Sequence, residues 1–187
     1  MTRLTVLLLF GGESSEHDVS IMSARNVYAA MDGEKYDIRL CYIDQAGKWW
    51  LLDNWVENLI RHGGAQLLVA PGTGSFITIP GNTVVHADVI LPILHGRNGE
   101  DGTVQGLAEL AHVPIVGCDV TASAVCMDKV LSKQVLVANG IKTARFVTYR
   151  KGLPLPEYTG TAEELGEVLF VKPSRSGSSV GVSKVHS

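Results

Sequence analysis

Leu4-Thr5-Val6-Leu7-Leu8-Leu9-Phe10 runs directly into Gly11-Gly12-Glu13-Ser14-Ser15-Glu16-His17-Asp18. A charge-free apolar run suits a strand covered on both faces, the habit of parallel sheets. The two glycines stop it, and a helical pattern follows. Val19, Met22, Val27, Ala30 and Met31 predict one apolar stripe, and Gly33 closes the helix. Tyr36 to Ile43 is the next predicted strand, and Gln45-Ala46-Gly47 turns into another, Lys48 to Leu52. Strand, glycine turn, helix, strand is a βαβ unit, so the expected class is α/β.

The same order recurs downstream. Asp88 to Leu94 reads as a second buried strand ending in His95-Gly96-Arg97-Asn98-Gly99-Glu100-Asp101-Gly102, with a helix from Thr103 to His112 and a short strand, Pro114 to Val116. Between the two units, Gln66 to Ala70 and Ser75 to Ile79 read as a peripheral hairpin. Thr121 to Asn139 is the longest helical window, stopped by Gly140. Arg145 to Tyr149 is a predicted strand and Lys151 to Gly160 a loop; Leu169 to Lys172 is a strand entering a Ser/Gly-rich loop, Pro173 to Val182. The alternation changes character near residue 120, which suggests two domains, 1–120 and 121–187.

Composition narrows the function. The 187 residues are 45% hydrophobic and 19% charged, with a net charge of −3. A sizeable core is possible, and a strongly basic nucleic-acid binder is not the expectation. Three cysteines, at 41, 118 and 126, form no C-x-x-C pair. They read as buried small hydrophobes in a reducing compartment. Glycine and proline break the longest uncharged stretch, Gly63 to Val85, so no membrane span and no membrane partner are expected. The apolar start has no small-residue cleavage site after it, so it is not read as a signal peptide, and a cytoplasmic protein is expected.

Four sites carry polar groups where ligands bind. Gly11 to Asp18 lies between a buried strand and a helix, where glycines admit close backbone approach and Glu16 can hold an ammonium; a solvated helix cap uses the same residues. His95 to Gly102 can wrap a ligand, or be a flexible loop with a glycine-rich tip. Lys129 and Lys133 share one helix face and suit an anion, or only solvent. Lys172 ends a strand, and from Val168 to Ser187 there are three basic residues and no acid, which suits phosphate; a plain hairpin with a polar turn is the alternative. Neither G-x-G-x-x-G nor G-x-x-x-x-G-K-[ST] occurs. No carboxylate follows Glu167 to hold Mg²⁺ for phosphoryl transfer.

Phe10 to Ser20, His95 to Gly102, Met127-Asp128-Lys129, and Val171-Lys172-Pro173 with Gly177-Ser178-Ser179-Val180-Gly181 together resemble the D-alanine–D-alanine ligases of the ATP-grasp superfamily. They stand in the family's order and at similar spacing, over nearly the whole chain from Leu4 to Val185. The resemblance implies a Rossmann-like parallel-sheet domain followed by the first part of an ATP-grasp region. It implies that ATP phosphorylates one D-alanine and that the amine of a second attacks the acyl phosphate, giving a peptidoglycan precursor. Glu16 and Ser178 are then catalytic-site residues, with Glu16 on the first D-alanine's ammonium, His95 near its carboxylate, and Ser178 linking its loop to the Glu16 region. Lys129, Lys172, Gly177, Ser178, Ser179 and Val180 contact ATP. A homodimer is the expected assembly, with no nucleic acid. Mg²⁺ is the implied cofactor beside ATP, with its ligands and the mobile closing loop expected beyond residue 187, so the chain alone is expected to be inactive. A D-alanine–D-lactate ligase, or a non-catalytic binding or dimerisation module, would share these motifs.

Overall fold

The computed structural model describes residues 2–59 and 63–186. The chain divides into two compact units, Met1–Ala124 and Val125–Ser187.

The first unit is built on a seven-stranded mixed sheet. Its strands are β1 (Leu4–Gly11), β2 (Tyr36–Ile43), β3 (Trp49–Leu52), β4 (Ala65–Ala70), β5 (Ser75–Ile79), β6 (Val84–His86) and β7 (Val89–Pro92). The order across the sheet is β6-β5-β4-β3-β2-β1-β7. Only β2-β1-β7 is parallel; β3 to β6 pair antiparallel. The fold is α/β, as expected, but the sheet is parallel only around β1. The connections β2–β3, β4–β5 and β5–β6 are too short for crossover helices, so those strands return antiparallel. The predicted peripheral hairpin is β4–β5, set toward the far edge. The predicted strand at Pro114 to Val116 reduces to one parallel bridge, Ile90 to Ile115.

β1 is central because alternate side chains serve opposite faces. Leu7 and Leu9 pack with Phe76, Ile90 and helix α2 (Thr103–Ala111) through Val104, Ala108 and Ala111. Leu8 and Phe10 pack with Leu40, Tyr42 and helix α1 (His17–Ala30) through Ala24. Phe10 also stacks on Trp55, with centroids 5.0 Å apart.

The buried face of α1 matches the predicted stripe only in part: Val27 packs on the core, but the fully buried positions are others. His17, Ser20 and Ala24 are buried, whereas Val19 is exposed and Met22 is 66% exposed. The polar pair is inward because each finds backbone partners. The Gly11 N–H donates to Ser20 Oγ at 2.8 Å, and Ser20 Oγ donates to the Ile93 carbonyl. His17 Nδ1 stands 2.6 Å from the Gly12 carbonyl, which can only accept, so Nδ1 carries the proton. Nε2 then accepts from Tyr42 at 3.2 Å. Gly11 itself is obligatory: its φ is +90°, and a Cβ there would stand 2.3 Å from the Ile43 carbonyl oxygen.

The second unit contains α4 (Lys129–Ala138), α5 (Tyr158–Leu165) and a two-stranded antiparallel pair, β8 (Leu169–Val171) and β9 (Ser183–Val185). The predicted helix over Thr121 to Asn139 is two helices, α3 (Val120–Met127) and α4, because Asp128 is extended (φ −88°, ψ 107°) and caps α4. Lys172 falls just past β8 rather than inside it. Arg145 to Tyr149 is not a strand; it finds no pairing partner among the described residues. The loop predicted to reach Gly160 ends earlier, at the start of α5.

All three cysteines are free, but only Cys41 is buried, and burial pushes its thiol pKa up. Cys118 and Cys126 are exposed, contrary to expectation, since neither stands on a strand that the helices cover. Among the described residues no helix is long and apolar enough to cross a membrane.

Candidate functional site

β1 and β7 run parallel and adjacent, so Gly11-Gly12 and Leu94-His95 emerge at the same sheet edge. The N-termini of α1 and α2 follow those two exits. This is the carboxyl edge at which open α/β sheets place ligands.

Glu16 is the N-cap residue of α1, yet its side chain makes no capping hydrogen bond. Its carboxylate lies against the other loop instead: a Cβ on Gly96 would stand 2.7 Å from Glu16 Oε2. The solvated-cap alternative is therefore not what the carboxylate does. Ser14 Oγ accepts from the Glu16 N–H at 3.1 Å and holds the turn.

The His95–Gly102 loop is pinned, not slack. Glu100 Oε2 accepts from the Gly96 N–H at 2.7 Å, and Asp101 from the N–H of Asn98 at 2.9 Å and of Thr103 at 3.1 Å. Asn98 Nδ2 donates to Glu13 at 2.6 Å, tying this loop to the first, and Gln105 donates to the Gly99 carbonyl. Burial raises the Asp101 pKa, but the hydrogen bonds from Asn98 and Thr103 outweigh it and the net shift is down. His95 is half-buried, with Nε2 3.4 Å from Ser23 Oγ. It lines a cleft with Gly12, Glu13, Leu94, Arg97 and Asn98. Glu16 does not line that cleft; Gly96 is its contact.

In the second unit Asp128 organises the polar groups, a part that the sequence reading did not give it. Its carboxylate accepts from the N–H of Val130 (3.0 Å) and Leu131 (3.2 Å), from Ser174 Oγ (2.6 Å) and from Arg175 Nε (2.8 Å). The Lys129 N–H donates to the Ser174 carbonyl at 2.9 Å, and Lys129 Nζ donates to the Ser176 carbonyl. Lys133 turns elsewhere, donating to the Ala144 carbonyl and lying 4.8 Å from the Phe146 ring centre. Lys129 and Lys133 thus do not act as one pair. Lys172 is exposed, with no hydrogen bond or ion pair among the described residues. Between β8 and β9 the chain turns through left-handed Ser178 (φ +45°) and Ser179 (φ +62°), and Gly181 packs on Pro173.

The hydrogen bonds from Ser174 and then Arg175 hold the Asp128 carboxyl well below the usual carboxylate range. A group that titrates lower in the folded state stabilises the fold while ionised. Its contribution is complete above the unfolded value of about 3.9 and is lost as pH falls through the lower folded value. Melting curves between pH 6 and 2 are expected to show an acid-side loss for the wild type that Asp128→Asn reduces. Parallel curves for the two proteins would remove Asp128 as the cause.

Among the described residues no group of three His, Cys, Asp or Glu can hold a metal ion.

Comparison with known proteins adds to this geometry. Residues 5–118 match the family model for the D-ala D-ala ligase N-terminus. The chain is 41% identical to a D-alanine–D-alanine ligase A of Chromobacterium violaceum, over 99% of its own length and 54% of the relative's. The solved D-alanine–D-alanine ligase of Coxiella burnetii superposes with a TM-score of 0.91 at 35% identity, covering 99% of this chain and 57% of that one. A Bacillus anthracis D-alanine–D-alanine ligase solved in complex with ATP gives 0.67 at 30% identity, covering 98% and 50%. The chain spans about half the length of the curated relatives it matches.

Proposed function

The chain belongs to the D-alanine–D-alanine ligase family, and on that premise we propose that the full-length protein joins two D-alanines at the expense of ATP. One observation supports this above the rest. A carboxylate, Glu16, takes no part in capping its helix and lies against the glycine-rich loop that presents His95.

In this reading residues 1–120 form the N-terminal domain and 121–187 open the ATP-grasp region. Glu16 holds the ammonium of the first D-alanine and His95 stands near its carboxylate. A carboxylate oxygen of that D-alanine attacks the γ-phosphorus, ADP leaves, and an acyl phosphate forms. The amine of the second D-alanine then attacks the acyl carbon and loses a proton, and phosphate leaves with the C–O bond electrons. Lys129 and Lys172 hold the ATP phosphates, and Gly177, Ser178, Ser179 and Val180 cover them. Fixed cations and N–H donors suit a transition state whose negative charge is spread over phosphoryl oxygens. The dipeptide is a peptidoglycan precursor made in the cytoplasm. A homodimer is the proposed assembly; Val19 and Met22 give α1 an exposed apolar surface that association would cover.

Lys172→Met tests the nucleotide half of the proposal. Losing one charge-assisted contact, which contributes about 1.5 to 3 kcal/mol, is expected to raise the ATP dissociation constant by about one to two powers of ten. The melting temperature should change little, because the head group is exposed and has no partner among the described residues. Calorimetric titration with ATP, beside a melting curve, reads both. Unchanged ATP affinity would retire the role of Lys172.

A further inference from the structure

We propose that Asp128 is a positioning residue for the nucleotide: its carboxylate sets Lys129 and the loop after Lys172 in one fixed arrangement that receives a polyphosphate. This rests on the ATP reading above and assigns a role to a residue that reading leaves out.

A helix cap needs only the two bonds from Val130 and Leu131. The two donors from Ser174 and Arg175 are not needed for capping; they come from 46 and 47 residues along the chain. They meet a carboxylate whose side chain is only 11% exposed; Arg175 is itself 78% exposed, so the bond from Ser174 is the better shielded of the two. Lys129, the next residue, is bound to the same loop at both ends, through its N–H to Ser174 and its Nζ to Ser176. Asp128 and Lys129 therefore run along Ser174–Ser176 like a rail. Lys172 precedes the rail by two residues, about 7 Å of chain at most. Pro173 stiffens the short link and is itself packed against Gly181, so the return of the loop is held as well. One buried carboxylate thereby limits where both lysines and the intervening loop can stand. Donors and cations fixed before the ligand arrives need no reorganisation when it binds.

Asp128→Asn separates this role from capping, because asparagine caps helices about as well as aspartate. In the full-length protein it is expected to raise KM and Kd for ATP about tenfold, equivalent to about 1.4 kcal/mol. kcat and KM for D-alanine should stay close to wild type, while the melting temperature near neutral pH falls because the contribution of the ionised carboxylate is lost. Ser174→Ala, which keeps the cap, should move KM for ATP the same way by a smaller factor, and it carries the test if Asp128→Asn does not fold. Wild-type ATP affinity in both variants overturns the inference. So does an equal rise in both Michaelis constants, which is what a merely structural carboxylate gives. If the wild-type protein itself binds no ATP, the ATP reading fails first; if it binds ATP and only the variants fail to respond, the positioning role alone is lost.

Discussion

Glu16→Gln in the full-length protein is expected to weaken D-alanine at the first subsite by about 2 to 5 kcal/mol, the cost of truncating one partner of a desolvated charge pair. ATP affinity should remain within about twofold, because the substitution removes no group that faces phosphate in the proposed site. The contrast follows from where the carboxylate lies. Its side chain makes no capping hydrogen bond, and its Oε2 occupies the space that a side chain on Gly96 would need. Glutamine keeps the shape and one acceptor oxygen, removes the charge and turns the other oxygen into an NH2 donor. Separate Michaelis constants for D-alanine and ATP, with a melting curve to exclude unfolding, give the answer. Equal rises in both constants, or no change in either, would take the ammonium role away from Glu16.

Ser20→Ala should destabilise the first unit by about 2 to 4 kcal/mol, since each buried polar group left unpaired costs about 1 to 3 kcal/mol. Two groups lose their partner at once: the Gly11 N–H, which donates to Ser20 Oγ, and the Ile93 carbonyl, which accepts from it. Ser20 is 0% exposed, so solvent does not reach the hydroxyl. The hydroxyl is a rivet between the exits of β1 and β7, the two strands that carry Gly12 and His95 to the site. Denaturant titration of wild type and variant measures the cost. A shift of the midpoint under about 0.5 kcal/mol would mean that the backbone repairs both bonds by itself.

Much of this architecture was legible in the residues, and the losses have physical causes. β1 was readable because a strand buried on both faces must be apolar throughout, and Val6 to Phe10 obey that. The glycine-rich exits were readable because Gly11 and Gly96 adopt left-handed φ, which few other residues tolerate. The buried face of α1 was placed only in part because hydrophobic periodicity sees only apolar groups. His17 and Ser20 are inside on the strength of hydrogen bonds to Gly12, Gly11 and Ile93, partners fixed by the tertiary fold. The break at Asp128 was hidden by apolar residues on both sides of it. The aspartate-before-helix signal was present at that position, but its bonds to Ser174 and Arg175 depend on a loop far along the chain. Arg145 to Tyr149 has strand-like composition without a strand, because extended residues pair only where a neighbouring edge exists. Glu16 and the Met127-Asp128-Lys129 motif were visible as candidate chemistry. Which carboxylate caps a helix and which does not was visible only in three dimensions.

The position of β1 between β2 and β7 also sets a timetable for the growing chain. Its partner on one side is complete at Ile43, whereas its partner on the other begins only at Val89. At about 5 to 20 residues per second, synthesis of the intervening segment takes about 2 to 9 s. The antiparallel meander from β2 to β6 is local in sequence and can close as it emerges. Throughout that interval the most apolar strand of the protein keeps one bare edge, the kind of surface that recruits other strands. A ribosome stalled before residue 92 would therefore hold a nascent chain whose central strand is still open to a neighbour.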